Sequence, residues 1–512
     1  MNLKLTVLFL ALANLASGET SIERGAALLR AAKYQEALFV LEEAQQEQPG
    51  SALAANLTGI ALTQLNLIEE ANEHYRLAIR LNPRLEGAYK NLGFGLLQSK
   101  QYAEAERELN AALLIDPHDS FDRYYLGLVY LATGRKRQAM DQFSQSLDQL
   151  AKDPDSALAY VSACLESGDR QAADKLISRL TSEGGLTTGQ AYVWASQLNA
   201  QAHYTEAVAL FRYIARIEPA AGSNRYNLAI ALLDAKDVGE ATSILEELSQ
   251  RQTDNPDVYS LLGAALELDG KNLAALEAYR HSVQLDPENP DRYLEYSRLL
   301  VEMDRFDESS RLVERGIGQV NDAYALLMRL GSVRMAAGKL ADAREAFNRA
   351  VEQHPDISLG YIGIARTYLL EGNAEEAITI LAKGESAAAP DFLLQYFKGL
   401  ALKRADRSSE SLECFQKAAT LNANVPEVHY EQGKLFLKLG DLEKAREEFD
   451  RTVAIDPKNA GAFYQLSVLW QRRGEHEKAQ HLAALSRDLL AQKRQEAIKR
   501  LDERFHSAEW KR

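Results

Sequence analysis

The sequence predicts an all-α protein built as an α-solenoid, a stack of two-helix units, on three observations. Stepping thirty-four residues at a time from Ala37 meets a small residue every time: Ala71, Ala105, Ala139, Ala173, Ala207, Ala241, Ala275, Ser309, Ala343, Ala377, Ser411, Ala445 and Ala479. No insertion or deletion interrupts the series, and a period of this length marks units that bury their apolar faces against their neighbours. Composition agrees, being rich in Ala, Leu and Glu with only 12 Pro, so intrinsic preference supports helix throughout. Each Pro falls at the end of a second helix or just before the next first helix, where a missing N–H does least harm. Length alone would suggest about three or four globules, but the period reads the chain as one elongated domain.

Residues 256–289 show one unit most clearly. Tyr259, Leu262, Gly263 and Leu266 lie at i, i+3, i+4 and i+7 and form one face of a first helix. Gly270 ends that helix by accepting a left-handed conformation. Ala275, Tyr279 and Ser282 mark the inner face of a second helix, and Pro287 stops it. Gly263 and Ala275 are small where the helices cross, and Tyr279 fills the space between them. Equivalent small sites are Gly25, Gly59, Gly93, Gly127, Gly331, Gly399 and Gly433, and equivalent large sites include Leu41, Tyr75, Phe143, Phe347, Phe415 and Phe449.

The spacing of Tyr89, Leu92, Gly93, Leu96, Ala105, Leu109, Ala112 and Pro117 resembles the tetratricopeptide repeat, and Phe463, Leu466, Trp470 and Ala479 fit the same template. The resemblance covers residues 19–493 as fourteen tandem repeats. It implies a right-handed superhelix whose first helices line a concave groove, used to hold peptides, helices or partner proteins. Residues 494–512 are expected to cap the open end, with Leu490, Ile498, Leu501 and Phe505 at helical spacing. The middle is less regular: Leu180, Ile214 and Leu248 stand where the family prefers a small residue, and Val161 replaces the crossing Gly. Gly184-Gly185 lies within the polar stretch 181–190, which reads either as drift with compensating repacking or as a hinge.

The N-terminus reads differently. Met1 to Lys4 form a short positive region, Leu5 to Ala16 an apolar run, and Ala16-Ser17-Gly18 a cleavage-compatible end. Residues 1–18 are therefore expected to be a cleaved signal peptide, since the apolar run is shorter than the ~20 residues that span a bilayer. Export follows, to the periplasm if the source is Gram-negative and otherwise to the medium, with no stable membrane insertion. The net charge of −14 argues against nonspecific nucleic-acid binding. Cys164 and Cys414 lie seven repeats apart, too far to pair, and read as small buried apolar residues.

Catalytic constellations are not found, so an enzyme is not expected, and neither are cofactors. Gly270-Lys271 and Gly338-Lys339 are not followed by the residues of a phosphate loop. His476 and His481 flank Glu477 with one residue too many for a zinc-protease motif, which leaves them ~140° apart on a helix. The distinctive surface is the expected groove. Tyr124, Tyr192, Tyr226, Tyr396, Tyr430 and Tyr464 share one first-helix position, where Tyr is common in the family. Beside them the later repeats place Arg366, Lys403, Arg404, Lys434, Lys438 and Arg472, whereas earlier repeats place Phe94, Leu97, Leu128, Leu131, Ile230 and Leu233. The expected peptide site is accordingly Arg366, Tyr396, Lys403, Arg404, Tyr430, Lys434, Lys438, Tyr464 and Arg472. Its cations would pair acidic or carboxylate-bearing polypeptide, unless acidic residues on adjacent helices neutralise them. Lys90 is followed at Phe94 by no Asn, so the clamp that some family members use for chaperone C-termini is absent. The function expected is an exported interaction scaffold. The alternative is an accessory subunit of a separate envelope enzyme, such as a glycosyltransferase or polysaccharide assembly complex.

Overall fold

The computed structural model describes residues 20–509, with side chains through residue 496. The expected signal peptide and the side chains of Ile498, Leu501 and Phe505 lie outside the described residues. Among the described residues there are 29 helices and no strands, arranged as a solenoid of antiparallel pairs. The chain divides into two compact units at Asp237–Val238.

The thirty-four-residue step recurs in the backbone. Every thirty-fourth residue from Ala32 to Gly474 has positive φ, from 56° at Ala32 to 88° at Gly372. This residue closes each first helix; the next N–H turns back to a carbonyl of that helix, as Lys271 does to Leu266 at 2.8 Å. Gly270 fills the position without strain, whereas Lys100, Ala202 and Asp304 hold the same conformation with a Cβ. At the other junction, side chains of Asp119, Asn255, Asn289, Asp391 and Asn459 cap the next first helix. Pro154, Pro256, Pro290 and Pro426 occupy the first turn itself, one step later than the sequence suggested.

Within a pair, the crossing glycine faces the large residue sixteen positions later. A Cβ built on Gly263 would lie 2.7 Å from the Tyr279 ring, and one on Gly331 2.5 Å from Phe347. Tyr279 and Phe347 are nearly fully buried, so these contacts set the interhelix distance. Ser309 and Ser411 replace Ala in the small-residue series at no polar cost. The Ser309 and Ser297 hydroxyls are 2.8 Å apart, and Ser411 donates to the Gly399 carbonyl at 2.7 Å.

The first unit contains one broken hairpin. The second helix Lys136–Ser144 stops early, and a single turn, Leu147–Leu150, follows. Ser146 Oγ donates to the Gln142 carbonyl at 3.0 Å, which offers the backbone a local alternative to helix. The short turn returns Leu150 to the core. Further on, Leu180 and Ile214 are buried. The 181–190 segment is tied at its start and its middle: Arg216 donates to the Thr181 carbonyl at 2.8 Å, and Tyr213 Oη donates to the Leu186 carbonyl at 2.7 Å.

The second unit is more regular and ends in one helix, His476–Glu509. Ser486 Oγ anchors it by donating to the Ala460 carbonyl at 2.8 Å. Many ion pairs in both units join neighbouring hairpins. Arg135–Glu106 and Lys136–Glu166 do so in the first unit, and Arg298–Glu267 and Lys339–Asp307 in the second.

Candidate functional site

First helices of adjacent hairpins touch one another, as Pro290–Glu302, Tyr324–Ala336, Ser358–Glu371 and Phe392–Arg404 do in sequence. Arg366, Tyr396, Lys403 and Arg404 lie on these helices; Tyr430, Lys434 and Lys438 lie on Pro426–Leu439, which the Lys403–Glu431 pair joins to Phe392–Arg404, and Tyr464 and Arg472 on Ala460–Arg472, whose Gly461 lies against the Tyr430 hydroxyl. Tyr396 and Tyr430 are half-buried and pack on the large residue of their own hairpin, with centroids 5.8 Å from Phe415 and 5.8 Å from Phe449. Burial, and then the nearby Glu431, push the Tyr396 phenol up. Tyr124 and Tyr192 make the same contact with Phe143 and Phe211, so this tyrosine position serves the scaffold. Tyr464 differs: the residue at its expected ring-partner position is Ala483, and it is 56% exposed.

The cations divide in the same way. Glu431, on Pro426–Leu439, is held between Lys403 Nζ and Lys434 Nζ, the latter at 3.0 Å. Burial, with the neighbouring Lys434, pushes the Lys403 ammonium below the usual lysine range against the pull of Glu431. Lys434 also lies 5.1 Å from the Tyr430 ring centroid. Lys438 pairs with Asp406 in the preceding hairpin's turn. Arg404 donates to the Leu369 carbonyl, near the C-terminus of the preceding first helix, where carbonyls lack helical partners. Arg366 is exposed, its guanidinium 5.8 Å above the Phe397 ring. Arg472 is exposed at the end of Ala460–Arg472. The structure thus brings Lys403 and Lys434 together around the Glu431 carboxylate, with the Tyr430 ring beside Lys434, and leaves Arg366, Tyr464 and Arg472 exposed.

The sequence reading missed Glu431 and Asp406, although each stands 28 or 32 residues from its lysine, about one repeat. It also missed a buried pair in the same hairpin. His429 Nδ1 faces Glu448 Oε2 at 2.6 Å, and Nε2 faces the Ala423 carbonyl at 3.0 Å.

In the first unit the equivalent face is apolar. Phe94 and Tyr125 pack at 4.9 Å between centroids, with Leu97, Leu128 and Leu131 half-buried nearby. A cavity of about 290 Å³ opens beside the broken hairpin, lined by Leu131, Met140, Phe143, Leu158 and Gln197 among others. Lys90 is occupied by Glu86 at 2.9 Å and Asp119 at 3.0 Å. Glu86, Asp119 and Asp122 converge there, and among the described residues no other such group of metal-ligating side chains does. Burial, and then the charges of Asp119 and Glu86, push the Asp122 carboxyl up to about 8. Cys164 and Cys414 are free and buried, as expected of apolar residues. His476 and His481 are exposed on the last helix.

A two-helix unit repeated at fixed step, with side chains displayed along its first helices, defines a repeat scaffold of the protein-interaction class. Models described as tetratricopeptide repeat match residues 22–86, 198–265, 267–330, 334–400 and 396–460. The chain belongs to the tetratricopeptide repeat family. It is 24% identical over 462 residues to cellulose synthase operon protein C of Pseudomonas fluorescens, an alignment covering 83% of this chain and 35% of that protein. It is 19% identical over 400 residues to the TPR repeat-containing protein MJ1428 of Methanocaldococcus jannaschii, covering 76% and 67%. Among solved structures it is similar to Naa15/Naa10 bound to HypK-THB, at 15% identity and a TM-score of 0.39, covering 98% and 94%. The chain therefore spans about a third of the length of the first of these relatives.

Proposed function

We propose that the protein is an exported, non-enzymatic scaffold that holds extended or helical segments of partner proteins along its first helices. Family membership supports the class of function, because the repeat displays long rows of side chains. The observation that carries the reading is the outward set Arg366, Tyr464 and Arg472, exposed on a surface whose other cations are mostly engaged internally. Two arginines and an amphipathic ring suit a polypeptide carrying carboxylates. Export rests on the positive, apolar and small-residue pattern of residues 1–18; the compartment would be the periplasm in a Gram-negative source and the medium otherwise. Among the described residues, no helix is long and apolar enough to cross a membrane.

A second reading, an accessory subunit of an envelope polysaccharide assembly enzyme, is favoured by the alignment with cellulose synthase operon protein C over 83% of this chain. One affinity capture from native extract separates the readings, using wild type and the triple variant Arg366→Glu, Tyr464→Ser, Arg472→Glu. All three positions are exposed, so helicity should be unchanged. Loss of the captured protein in the variant supports the site, and a single stoichiometric glycosyltransferase in the capture selects the second reading. Equal capture by both proteins discards these residues as the site.

A further inference from the structure

The first turns of two successive first helices meet in the first unit. Glu86 opens Glu86–Gln98, and Asp119 is the N-cap of Ser120–Ala132. Asp119 Oδ1 accepts from the backbone N–H groups of Phe121 at 2.8 Å and Asp122 at 2.9 Å. That fixes its rotamer and turns Oδ2 toward Glu86–Gln98. Asp122 projects into the same space with 0% of its surface exposed, and no donor group of the protein serves either of its oxygens; the side chain it meets is the Glu86 carboxylate, another acceptor. A ligand oxygen from each of the three carboxylates lies within 4.8 Å of the others. Lys90 Nζ pairs with Glu86 and Asp119 but not with Asp122. Three carboxylates thus face one ammonium, and the most buried of them is unserved. An unpartnered carboxyl in such a place is costly to keep.

We propose that Glu86, Asp119 and Asp122 bind one divalent hard cation, of the calcium type, which ties the first turns of the two helices together. The donor set is all oxygen, which selects against zinc and copper and suits calcium, magnesium or manganese. Calcium takes carboxylates in one- or two-oxygen mode at ~2.3–2.6 Å and completes its shell with water. A cation central to the three would neutralise Asp122, with which the Lys90 ammonium forms no ion pair. The ion would displace the Lys90 ammonium from Glu86 and Asp119, toward the solvent that its side chain, 23% exposed, already meets. The bound ion bridges two hairpins, so it stabilises the folded first unit by RT ln(1 + c/Kd), rising with the free ion concentration c. The ion site uses none of the residues of the peptide surface on the second unit.

The test is calorimetric titration of the full chain, first stripped with chelator, using calcium chloride and then manganese chloride. One ion per chain is expected, with slowed amide exchange in residues 86–98 and 120–132 on addition. Asp122→Asn is nearly isosteric and should weaken binding at least about tenfold, and Lys90→Met should tighten it by a similar factor by removing the competing charge. Absence of binding by either ion below about 1 mM overturns the proposal. Asp122→Asn binding as tightly as wild type also overturns it, because the ion then sits on exposed acids. Should Asp122→Asn not fold, Lys90→Met decides, and unchanged or weaker affinity there overturns the site.

Discussion

His429 makes the last hairpins of the chain sensitive to pH. Its ring is 6% exposed, and both nitrogens face acceptors, Glu448 Oε2 at 2.6 Å and the Ala423 carbonyl at 3.0 Å. Only the imidazolium satisfies both. The bond to Glu448 holds the His429 pKa above its ordinary 6.5, against the effect of burial. Arg451, one turn along the same helix as Glu448, binds the other carboxylate oxygen at 2.6 Å and opposes the shift slightly. Because the folded pKa is raised, the native state holds the extra proton between pH 6.5 and that higher value. The stabilisation is complete below pH 6.5 and is lost as pH rises through the folded pKa, with a slope of at most ~1.4 kcal/mol per pH unit.

Glu448→Gln removes the charge while keeping the shape. A hydrogen bond to a charged group is worth ~1.5–3 kcal/mol, so the variant should be that much less stable at pH 6 and closer to wild type at pH 9. Amide exchange in residues 426–455 measures this locally, which avoids assuming that two units unfold as one. If the difference between wild type and Glu448→Gln stays flat from pH 6 to pH 9, the buried imidazolium is refuted.

Other consequences of the packing are as direct. Gly331→Ala places a Cβ 2.5 Å from the Phe347 ring and should cost ~1–3 kcal/mol in urea unfolding; an unchanged midpoint would show that the crossing is looser than described. Ala202 holds φ at 63°, so Ala202→Gly should stabilise the first unit by ~0.5–1 kcal/mol once the flexibility of unfolded Gly is offset, and a lower midpoint counts against it. Burial pushes the Cys164 thiol up to about 11, so alkylation at pH 8 should be slow in the native protein and rapid after unfolding. Equal rates in the two states would contradict the burial.

The hairpin period was legible because each unit needs one small residue where its helices cross, and that need is written in residue type. Its irregular positions were legible only in pairs. Val161 replaces the crossing Gly opposite Ile177, and Ser297 does so opposite Val313, so an added Cβ meets a slimmer partner; all four are buried. The closing residue of the first helix was half hidden, since Lys100, Lys236 and Asp406 adopt positive φ with no sequence mark to show it.

The charges of the candidate site were legible by position but not by partner. Glu431 and Asp406 stand about one repeat from the lysines they bind, and only side-chain reach decides that they meet. The same lysines therefore act as staples between hairpins, where a pair that is partly buried weighs on stacking when one member is lost. Reversing Lys403 would place a second carboxylate beside Glu431, and any lost partner binding would be confounded with disturbed stacking. Arg366, Tyr464 and Arg472 escape that ambiguity. Their exposure makes them the residues at which binding can be removed while the solenoid stays intact.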